Sequence, residues 1–329
     1  MKIALGQLNP TVGDLRANAD RMIAYSRQAA EKGADLIVFP ELSLCGYPPR
    51  DLVEKPSFLD RCEEELQRLA AETAPLGLAV IAGTVTRSHR ATGKMATNSA
   101  AILDGGHVIF RQHKMLLPTY DVFDEARYFM PAERQSLATL RSQPLALSIC
   151  EDAWNDKCFW ERQLYQRDPV EELMDGGADL LISINGSPYS LHKRAQRREM
   201  FAAIAQRYRR PVIYVNQVGG NDQLVFDGSS FAMDEHGHVI ASAKSFEEDL
   251  VFFGDQHDSH GEEIDAVYEA LVLGTRDYVR KCGFKKVLLG VSGGIDSALT
   301  ACIAVDALGR ENVAGISMPG PFSSDHSLT

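Results

Sequence analysis

Short apolar runs alternate with segments of helical periodicity along the first part of the chain. The pattern predicts the order β-α-β-α-β, with strands over 2–8, 34–39 and 78–85 and helices over 15–32 and 58–73. The strands are nearly continuous in apolar residues, which is typical of a sheet whose faces are covered by helices. This part of the chain is therefore predicted to adopt an α/β fold.

The middle of the chain adds antiparallel hairpins to this pattern. Asp104-Gly105-Gly106 separates two apolar runs, and 234–237 separates two more, which is the chemistry of tight β-turns. Between the hairpins the pattern predicts buried strands and a strongly charged helix, with the strands over 144–149, 178–184 and 211–215 and the helix over 191–209. The predicted sheets are therefore mixed rather than purely parallel.

Residues 254–262 are polar and lack periodicity, so we expect a linker over 255–263 between one domain at 1–254 and a second at 264–329. The second segment begins with a predicted helix over 264–281, followed by an apolar strand over 286–291. A single strand–helix–strand unit is too little for an independent α/β domain. We therefore expect the second domain to be incomplete in this chain.

Composition limits the partners and the surroundings of the protein. The net charge of −11 disfavours nucleic acid and anionic membranes as partners. No apolar run approaches the roughly 18 residues of a membrane span, and the first run is too short for a signal peptide. The six cysteines are scattered without Cys-x-x-Cys pairs, so we expect a cytoplasmic protein with free thiols rather than a disulfide scaffold or a zinc site.

Glu41, Lys114 and Cys150 each lie at or just beyond the end of a predicted strand. Ligands of α/β sheets collect at the carboxyl ends of strands, so these residues can converge. A carboxylate can accept a thiol proton, and an ammonium group can stabilise an oxyanion. Taken singly, each residue is better explained as a buried thiol or a surface charge. Together they favour a site, and no histidine indicates a papain-like pair.

Three segments resemble the sequence blocks of the nitrilase, or carbon–nitrogen hydrolase, superfamily: Phe39–Tyr47, His113–Pro118 and Ile149–Asp152. The resemblance covers roughly residues 1–255. It implies an α/β fold of the nitrilase-like αββα sandwich type with a Glu–Lys–Cys triad. In that triad Glu41 accepts and donates protons, Lys114 stabilises the oxyanion and Cys150 is the nucleophile.

Segments 48–52 and 120–125 resemble a narrower branch, the glutaminase domains of glutamine-dependent NAD synthetases. An acid beside the nucleophile can hold the α-amine of glutamine, and a Lys or Arg its carboxylate. Arg194 competes with Lys193 for the second role, and the alternative interpretation of Ser187 and Lys193 is a turn residue and a solvated helix charge. The resemblance implies these glutamine-binding residues: Tyr120, Phe123, Glu151, Ser187 and Lys193.

A glycine-rich string, Ser292–Ser297, lies between the predicted strand over 286–291 and a helix. Glycines let the backbone approach phosphate, and a helix N-terminus favours negative charge. The string resembles the pyrophosphate-binding loop of the Rossmann-like ATP pyrophosphatase family. Segment 318–327 resembles a substrate-facing loop of NAD synthetases, with Gly320-Pro321 where the family often has Ser-Arg or Ser-Lys. The resemblance implies these ATP-binding residues: Gly290, Val291, Ser292, Gly293, Gly294, Ile295, Asp296 and Ser297.

These resemblances imply a ligase in which hydrolysis of glutamine supplies ammonia for the ATP-dependent amidation of deamido-NAD to NAD, releasing AMP, pyrophosphate and glutamate. The implied partners are glutamine, deamido-NAD and ATP, with Mg²⁺ at unassigned ligands, a homo-oligomeric assembly, and no tightly bound organic cofactor. One alternative is a stand-alone amidase or carbamoylase of the same superfamily, against which the Ser292–Ser297 string argues. Another is a non-catalytic domain that kept the fold, against which the intact triad argues.

Overall fold

The structure is a computed structural model that describes residues 1–257 and 262–318. Its internal contacts divide the chain into two units: Met1–Val218 with Phe226–Ser259, and Gly219–Val225 with His260–Thr329. Residues 219–225, which the sequence pattern assigns to the first domain, group with the second unit. Part of the predicted linker, 258–261, and nearly all of the predicted loop over 318–327 lie outside the described residues.

The helices and strands up to residue 257 follow the predicted order closely. The helices are α1 (Leu15–Glu31), α2 (Pro56–Thr73), α3 (Glu125–Tyr128), α4 (Pro169–Asp175) and α5 (Lys193–Tyr208). The strands are β1 (Ile3–Gln7), β2 (Leu36–Val38), β3 (Ala79–Arg87), β4 (Ala96–Asp104), β5 (His107–His113), β6 (Ala138–Leu140), β7 (Gln143–Ile149), β8 (Leu180–Asn185), β9 (Val212–Asn216), β10 (Val218–Asn221), β11 (Leu224–Asp227), β12 (Phe231–Met233), β13 (Val239–Ser242) and β14 (Asp249–Phe252).

Two six-stranded sheets form the first unit. One has the order β14-β1-β2-β3-β4-β5 and the other the order β13-β12-β9-β8-β7-β6. In each sheet three central strands run parallel, β1-β2-β3 and β7-β8-β9, while the flanking strands pair antiparallel. The loops that follow the carboxyl ends of β2, β7 and β8 are therefore placed to build a site.

The apolar core lies between the two sheets, and helices cover their outer faces. Leu5, Val38 and Ile81 of the first sheet join Leu147 and Ile182 of the second in one buried cluster. On the outside, α1 and α2 pack on the first sheet and α4 and α5 on the second. Because both faces of the parallel strands are buried, strands such as β1, β2, β8 and β9 are largely apolar instead of alternating with polar residues. The predicted αββα sandwich is confirmed.

The described part of the second unit contains one parallel β-α-β arrangement preceded by a helix: α6 (Glu263–Lys281), β15 (Val287–Gly290), α7 (Ile295–Leu308) and β16 (Val313–Ile316). Val279 of α6 packs with Ala307 and Leu308 of α7 in a small core. The N–H of Gly220 donates to Asp277 Oδ2 of α6 at 2.8 Å. That bond ties the short segment 219–225 to this unit.

The sequence pattern did not predict β6, α3, α4 or the hairpin of β10 and β11, each of which is short. Strand β6 contributes three residues and α3 four, which is below the length at which periodicity can be recognised. Within 1–257 and 262–318, no helix combines the length and apolar character needed to cross a membrane.

Candidate active site

Three strand ends bring the predicted triad together. Glu41 lies in the loop after β2, Lys114 directly follows β5, and Cys150 directly follows β7. The Nζ of Lys114 lies 2.7 Å from Oε1 of Glu41, and both side chains are fully buried. The charges of both residues act on the buried thiol of Cys150. Residues that are far apart in the sequence thus share one site.

Cys150 adopts a backbone conformation that turns the chain sharply at the end of β7. Its φ of +46° lies in the left-handed region, which non-glycine residues rarely occupy, and a turn of 3-10 helix follows over Cys150–Ala153. Such strained positions persist where the surrounding structure enforces them, often at active sites. The turn places the residue in the wall of a cavity instead of within the sheet.

Three donors fix the carboxylate of Glu41. Its Oε1 accepts from Lys114 Nζ and from Asn98 Nδ2, the latter at 2.6 Å, and its Oε2 accepts the backbone N–H of Gly186 at 2.7 Å. These three donors hold the buried carboxylate in one orientation. Gly83 on β3 allows the loop to sit this close, because a Cβ there would lie 2.2 Å from the carbonyl oxygen of Pro40.

A second carboxylate, Glu125 at the start of α3, belongs to the same network, and the sequence analysis assigned it no role. Its Oε1 accepts from Lys114 Nζ at 2.8 Å and from the phenol of Tyr47 at 2.8 Å. Burial raises the pKa of Glu125, the Lys114 ammonium opposes that rise, and the charge of Glu41 adds to it. In the sequence Glu125 resembles any acidic residue at the start of a surface helix, so only its place near Lys114 could have drawn attention.

Burial and the neighbouring charges shift the pKa values of Cys150 and Lys114. Burial and then the charge of Glu41 raise the pKa of the Cys150 thiol well above its ordinary value, although Lys114 opposes this. Burial tends to lower the pKa of Lys114, but the charges of Glu125 and Glu41 outweigh it and raise that pKa well above its ordinary value. Lys114 is therefore a permanent cation, and Cys150 rests as a neutral thiol beside a carboxylate able to accept its proton.

A cavity of about 210 Å³ opens beside Cys150. It is smaller than the roughly 300–1,000 Å³ pockets of drug-sized ligands, so its size fits a small metabolite. All five predicted glutamine-binding residues line it, together with Trp154, which the sequence analysis did not assign. The lining residues are Tyr120, Phe123, Cys150, Glu151, Trp154, Ser187, Ser190, Lys193 and Gln196.

The cavity carries a carboxylate and an ammonium group of opposite sign. Glu151 is 3% exposed and accepts from the phenol of Tyr120 at 3.0 and 2.9 Å. The Nζ of Lys193 lies 5.4 Å from the ring centroid of Trp154 and 6.0 Å from that of Phe123. Lys193 thus faces the cavity over two aromatic rings, which attract a cation.

Arg194, the alternative to Lys193 as the predicted carboxylate-binding residue, is not among the residues that line this cavity. Its Nη1 lies 3.4 Å from the hydroxyl of Ser245. Two hydrogen bonds hold the backbone of Ser187 in place. Its N–H donates to Asn216 Oδ1 at 2.9 Å, and its carbonyl accepts from the buried Arg197 at 3.0 Å. Arg197 in turn forms two hydrogen bonds with the buried Asp227. The wall of the cavity around Ser187 therefore rests on a buried ion pair.

Asp152 connects the segments that follow two of the triad strands. Its Oδ1 accepts the N–H groups of Met115 and Leu116 at 3.0 and 2.7 Å, and its Oδ2 accepts from Gln135 at 2.7 Å. Burial raises the pKa of Asp152 to about 7, and these hydrogen bonds oppose the rise. The residue holds the chain after Lys114 against the chain after Cys150.

A larger cavity, about 860 Å³, lies between α2 and the strands β4 and β5 and contains none of the triad residues. Three arginines of this cavity pair with carboxylates of the same wall: Arg87 with Asp60 at 2.6 Å, Arg90 with Glu133 at 2.8 Å and Arg111 with Glu63 at 2.6 Å. These charges satisfy one another, so the smaller cavity at Cys150 is the better candidate for chemistry.

The glycine-rich string follows β15 and runs into α7, whose first turn contains Ile295–Ser297. Gly293 has a φ of +80°, and the hydroxyl of Ser297 donates to the carbonyl of Gly294 at 2.9 Å, closing the turn. Within 1–257 and 262–318 no cluster of three His, Cys, Asp or Glu side chains is arranged to hold a metal ion. The string and the first turn of α7 can present backbone N–H groups to an anion.

The sequence profile of the carbon-nitrogen hydrolase family matches residues 2–254, and that of the NAD synthase family matches 267–329. A glutamine-dependent NAD(+) synthetase from Synechocystis sp. is 47% identical, over 99% of this chain and 61% of its own length. One from Thermotoga maritima is 35% identical, over 100% of this chain and 62% of its own length. The chain thus spans about three fifths of the length of these relatives.

Solved structures agree with these matches. A glutamine-dependent NAD+ synthetase from Acinetobacter baumannii, determined in complex with ADP, is 35% identical with a TM-score of 0.87, over 99% of this chain and 61% of its own. An amidase from Nesterenkonia sp. has a TM-score of 0.63 at 23% identity, over 78% of this chain and 91% of its own. At that identity the amidase indicates the shared fold alone.

Proposed function

The chain belongs to the carbon-nitrogen hydrolase family, and we propose that its first unit hydrolyses the side-chain amide of glutamine. The observation that supports this substrate is the pair of opposite charges in the cavity at Cys150. Glutamine carries an α-ammonium, an α-carboxylate and a neutral amide. In our proposal Glu151 binds the ammonium and Lys193 the carboxylate, so that the amide meets the thiol. A neutral amide would leave the buried Glu151 carboxylate and the half-buried Lys193 ammonium without a ligand partner, which costs free energy.

In the proposed reaction Cys150 gives its proton to a carboxylate oxygen of Glu41, and the thiolate attacks the amide carbon. The carbonyl π electrons move onto oxygen, and the ammonium of Lys114 stabilises that oxyanion. When the intermediate collapses, Glu41 returns the proton to nitrogen and ammonia leaves, which produces a γ-glutamyl thioester. Water then gives a proton to Glu41 and attacks the thioester, and glutamate departs as the sulfur regains the proton.

We propose that the ammonia serves the synthesis of NAD. The support is the NAD synthase match over 267–329, the names of the relatives and the glycine-rich string at α7. In this scheme ATP adenylates the carboxylate of deamido-NAD and pyrophosphate leaves, after which ammonia displaces AMP. Mg²⁺ would balance the phosphate charge in that reaction. A homo-oligomer in the cytoplasm remains our expectation.

Replacing the nucleophile tests the proposal. We expect Cys150→Ala to lower glutamate release from glutamine by about a thousandfold or more, as the loss of a covalent nucleophile does elsewhere. Cys158→Ala is the matched control, since Cys158 is an exposed thiol of the same unit outside the cavity, and it should keep full activity. Glutaminase turnover retained by Cys150→Ala would refute the mechanism.

The synthetase half has its own test. In a chain that carries the complete second domain, Cys150→Ala should still make NAD from deamido-NAD and ATP when ammonia is supplied, whereas glutamine should no longer support synthesis. Loss of the ammonia-driven reaction would argue against two separable sites. Rapid hydrolysis of neutral amides by the parent protein, together with failure on glutamine, would instead favour the stand-alone amidase.

A further inference from the structure

A second phenol, Tyr165, contacts Glu151 from outside the set of residues predicted from the sequence. Its hydroxyl donates to Glu151 Oε1 at 3.0 Å, alongside the hydroxyl of Tyr120. Tyr165 is not among the residues that line the cavity. A carboxylate can accept about four hydrogen bonds, so two phenol donors fix its orientation and leave acceptor capacity toward the cavity.

The chain around Tyr165 is built to hold that phenol in place. Asn155 is 1% exposed, and its Oδ1 accepts the N–H groups of Leu164 and Tyr165 at 3.0 and 3.1 Å. Its Nδ2 donates to the carbonyls of Tyr165 and Arg167 at 2.9 and 2.7 Å. One buried amide thus satisfies four backbone groups of a segment that otherwise has neither helix nor strand. Such complete satisfaction rigidifies a loop.

Glu151 needs this support because of where it lies. It directly follows the nucleophile and is nearly fully buried, and the hydrogen bonds described to its carboxylate come from neutral phenols. An isolated buried carboxylate without donors would protonate or reorient. Tyr120 is 43% exposed at the mouth of the cavity, whereas the backbone of Tyr165 is clamped by Asn155. The clamped phenol is the better fixed of the two donors.

We propose that Tyr165 is a positioning residue that, through Glu151, makes the site select amides that carry a free α-ammonium group. This inference rests on the proposed glutaminase function and specifies its substrate class. The Asn155 amide fixes Tyr165, Tyr165 fixes the Glu151 carboxylate, and the carboxylate recognises the ammonium. Tyr165 is not among the residues that line the cavity, so in this proposal it contributes to substrate selection rather than to bond cleavage.

The test compares two amides that differ in the amine alone: L-glutamine and its deamino analogue, 4-carbamoylbutanoate. For Tyr165→Phe we expect the KM for glutamine to rise about tenfold, the change typical of losing one hydrogen bond to a charged group. The kcat for glutamine and the kcat/KM for the analogue should stay within about twofold, because neither depends on binding the ammonium. Preference for glutamine over the analogue should therefore fall about tenfold.

A second variant and a control make the test specific. Asn155→Asp replaces the Nδ2 amino group, which donates to the carbonyls of Tyr165 and Arg167, by a carboxylate oxygen that faces both carbonyls. It should reproduce the selective rise in KM for glutamine. Tyr208→Phe makes the same change as Tyr165→Phe at a half-buried tyrosine of α5 and should alter neither substrate.

The results with Tyr165→Phe and with the parent protein distinguish failure of the Tyr165 inference from failure of the proposed glutaminase function. If Tyr165→Phe slows both amides equally, Tyr165 has only a structural role and the inference fails. An unchanged KM for glutamine would also overturn it, because Tyr120 would then suffice. If the parent protein releases no glutamate from glutamine, the proposed function fails first and the inference fails with it. A parent protein that is active on glutamine, with unchanged selectivity in Tyr165→Phe, overturns the inference alone.

Discussion

Replacing Lys114 by methionine removes the cation that two buried carboxylates share. Lys114 lies 2.7 Å from Glu41 and 2.8 Å from Glu125, and all three side chains are at most 5% exposed. Breaking a buried ion pair by deleting one partner typically costs about 3–5 kcal/mol, since the remaining charge stays buried without compensation. For a unit of this size, that corresponds to a Tm lower by about 6–20 °C. We expect Lys114→Met to fold with that loss of stability and to lack glutaminase activity.

Urea unfolding followed by tryptophan fluorescence measures the effect on the first unit alone. The chain has two tryptophans, Trp154 and Trp160, and both lie in that unit. Leu117→Met serves as a control for the introduced side chain, because it places a methionine at a buried position nearby that carries no charge. Volume-conserving apolar exchanges of this kind usually cost less than about 1.5 kcal/mol.

The double variant Lys114→Met/Glu125→Gln separates charge from packing. It removes one of the two carboxylates stranded by the first change, so it should regain about 1–2 kcal/mol relative to Lys114→Met alone. In the single variant the pKa of Glu125, already raised by burial, rises further without the ammonium. The folded state then binds more protons than the unfolded state above pH 4.5, so its stability falls as the pH rises through that range.

Two results would refute this reasoning. One is a loss below about 1 kcal/mol in Lys114→Met, which would mean that the pair contributes as little as an exposed one. The other is a double variant no more stable than the single variant at pH 8 and at pH 5, which would mean that packing rather than charge sets the cost.

Two further predictions concern the substrate and the backbone. Burial raises the pKa of Glu151, and the charge of Lys114 opposes that rise, so on acidification Glu151 loses its charge above the usual pH range of a glutamate. In that pH range the KM for glutamine should rise, whereas the KM for 4-carbamoylbutanoate should stay constant. Parallel pH profiles of the two KM values would contradict the role of Glu151. Gly83→Ala places a Cβ 2.2 Å from the carbonyl oxygen of Pro40, the residue before Glu41. The variant should therefore be less stable by about 1–3 kcal/mol in urea unfolding and should have a lower kcat for glutamate release. A fully active, equally stable variant would contradict the close approach.

Much of the fold follows from the periodicity of the chain. Buried strands such as β7 and β8 carry unbroken apolar runs between turn residues, and the hairpin of β4 and β5 is marked by Asp104-Gly105-Gly106. What periodicity could not give were elements of three or four residues, such as β6 and α3, which are formed by tertiary pairing rather than by local preference. Nor could it show that residues 219–225 group with the second unit, because that depends on contacts such as the one to Asp277.

Residues of the candidate site could be predicted from the sequence where they follow the end of a strand, but not where they join the site through long-range hydrogen bonds. Cys150 and Lys114 directly follow apolar strands, and that position in the sequence indicates that they can belong to a site. Glu125 lies in a short helix at the far side of a loop, and Tyr165 in an irregular segment, and neither position differs in sequence from that of an ordinary surface residue. Their importance arises from hydrogen bonds to Lys114 and Glu151 that only the folded chain creates.

The assembly of the triad from opposite halves of the sandwich has a consequence for the life of the nascent chain. Glu41 and Lys114 come from one layer, whereas Cys150 comes from the other. A polypeptide in which only one layer has condensed has the proposed nucleophile without its proposed proton acceptor, or the reverse. The proposed activity therefore requires both layers to have docked, so turnover would report that the two halves have met.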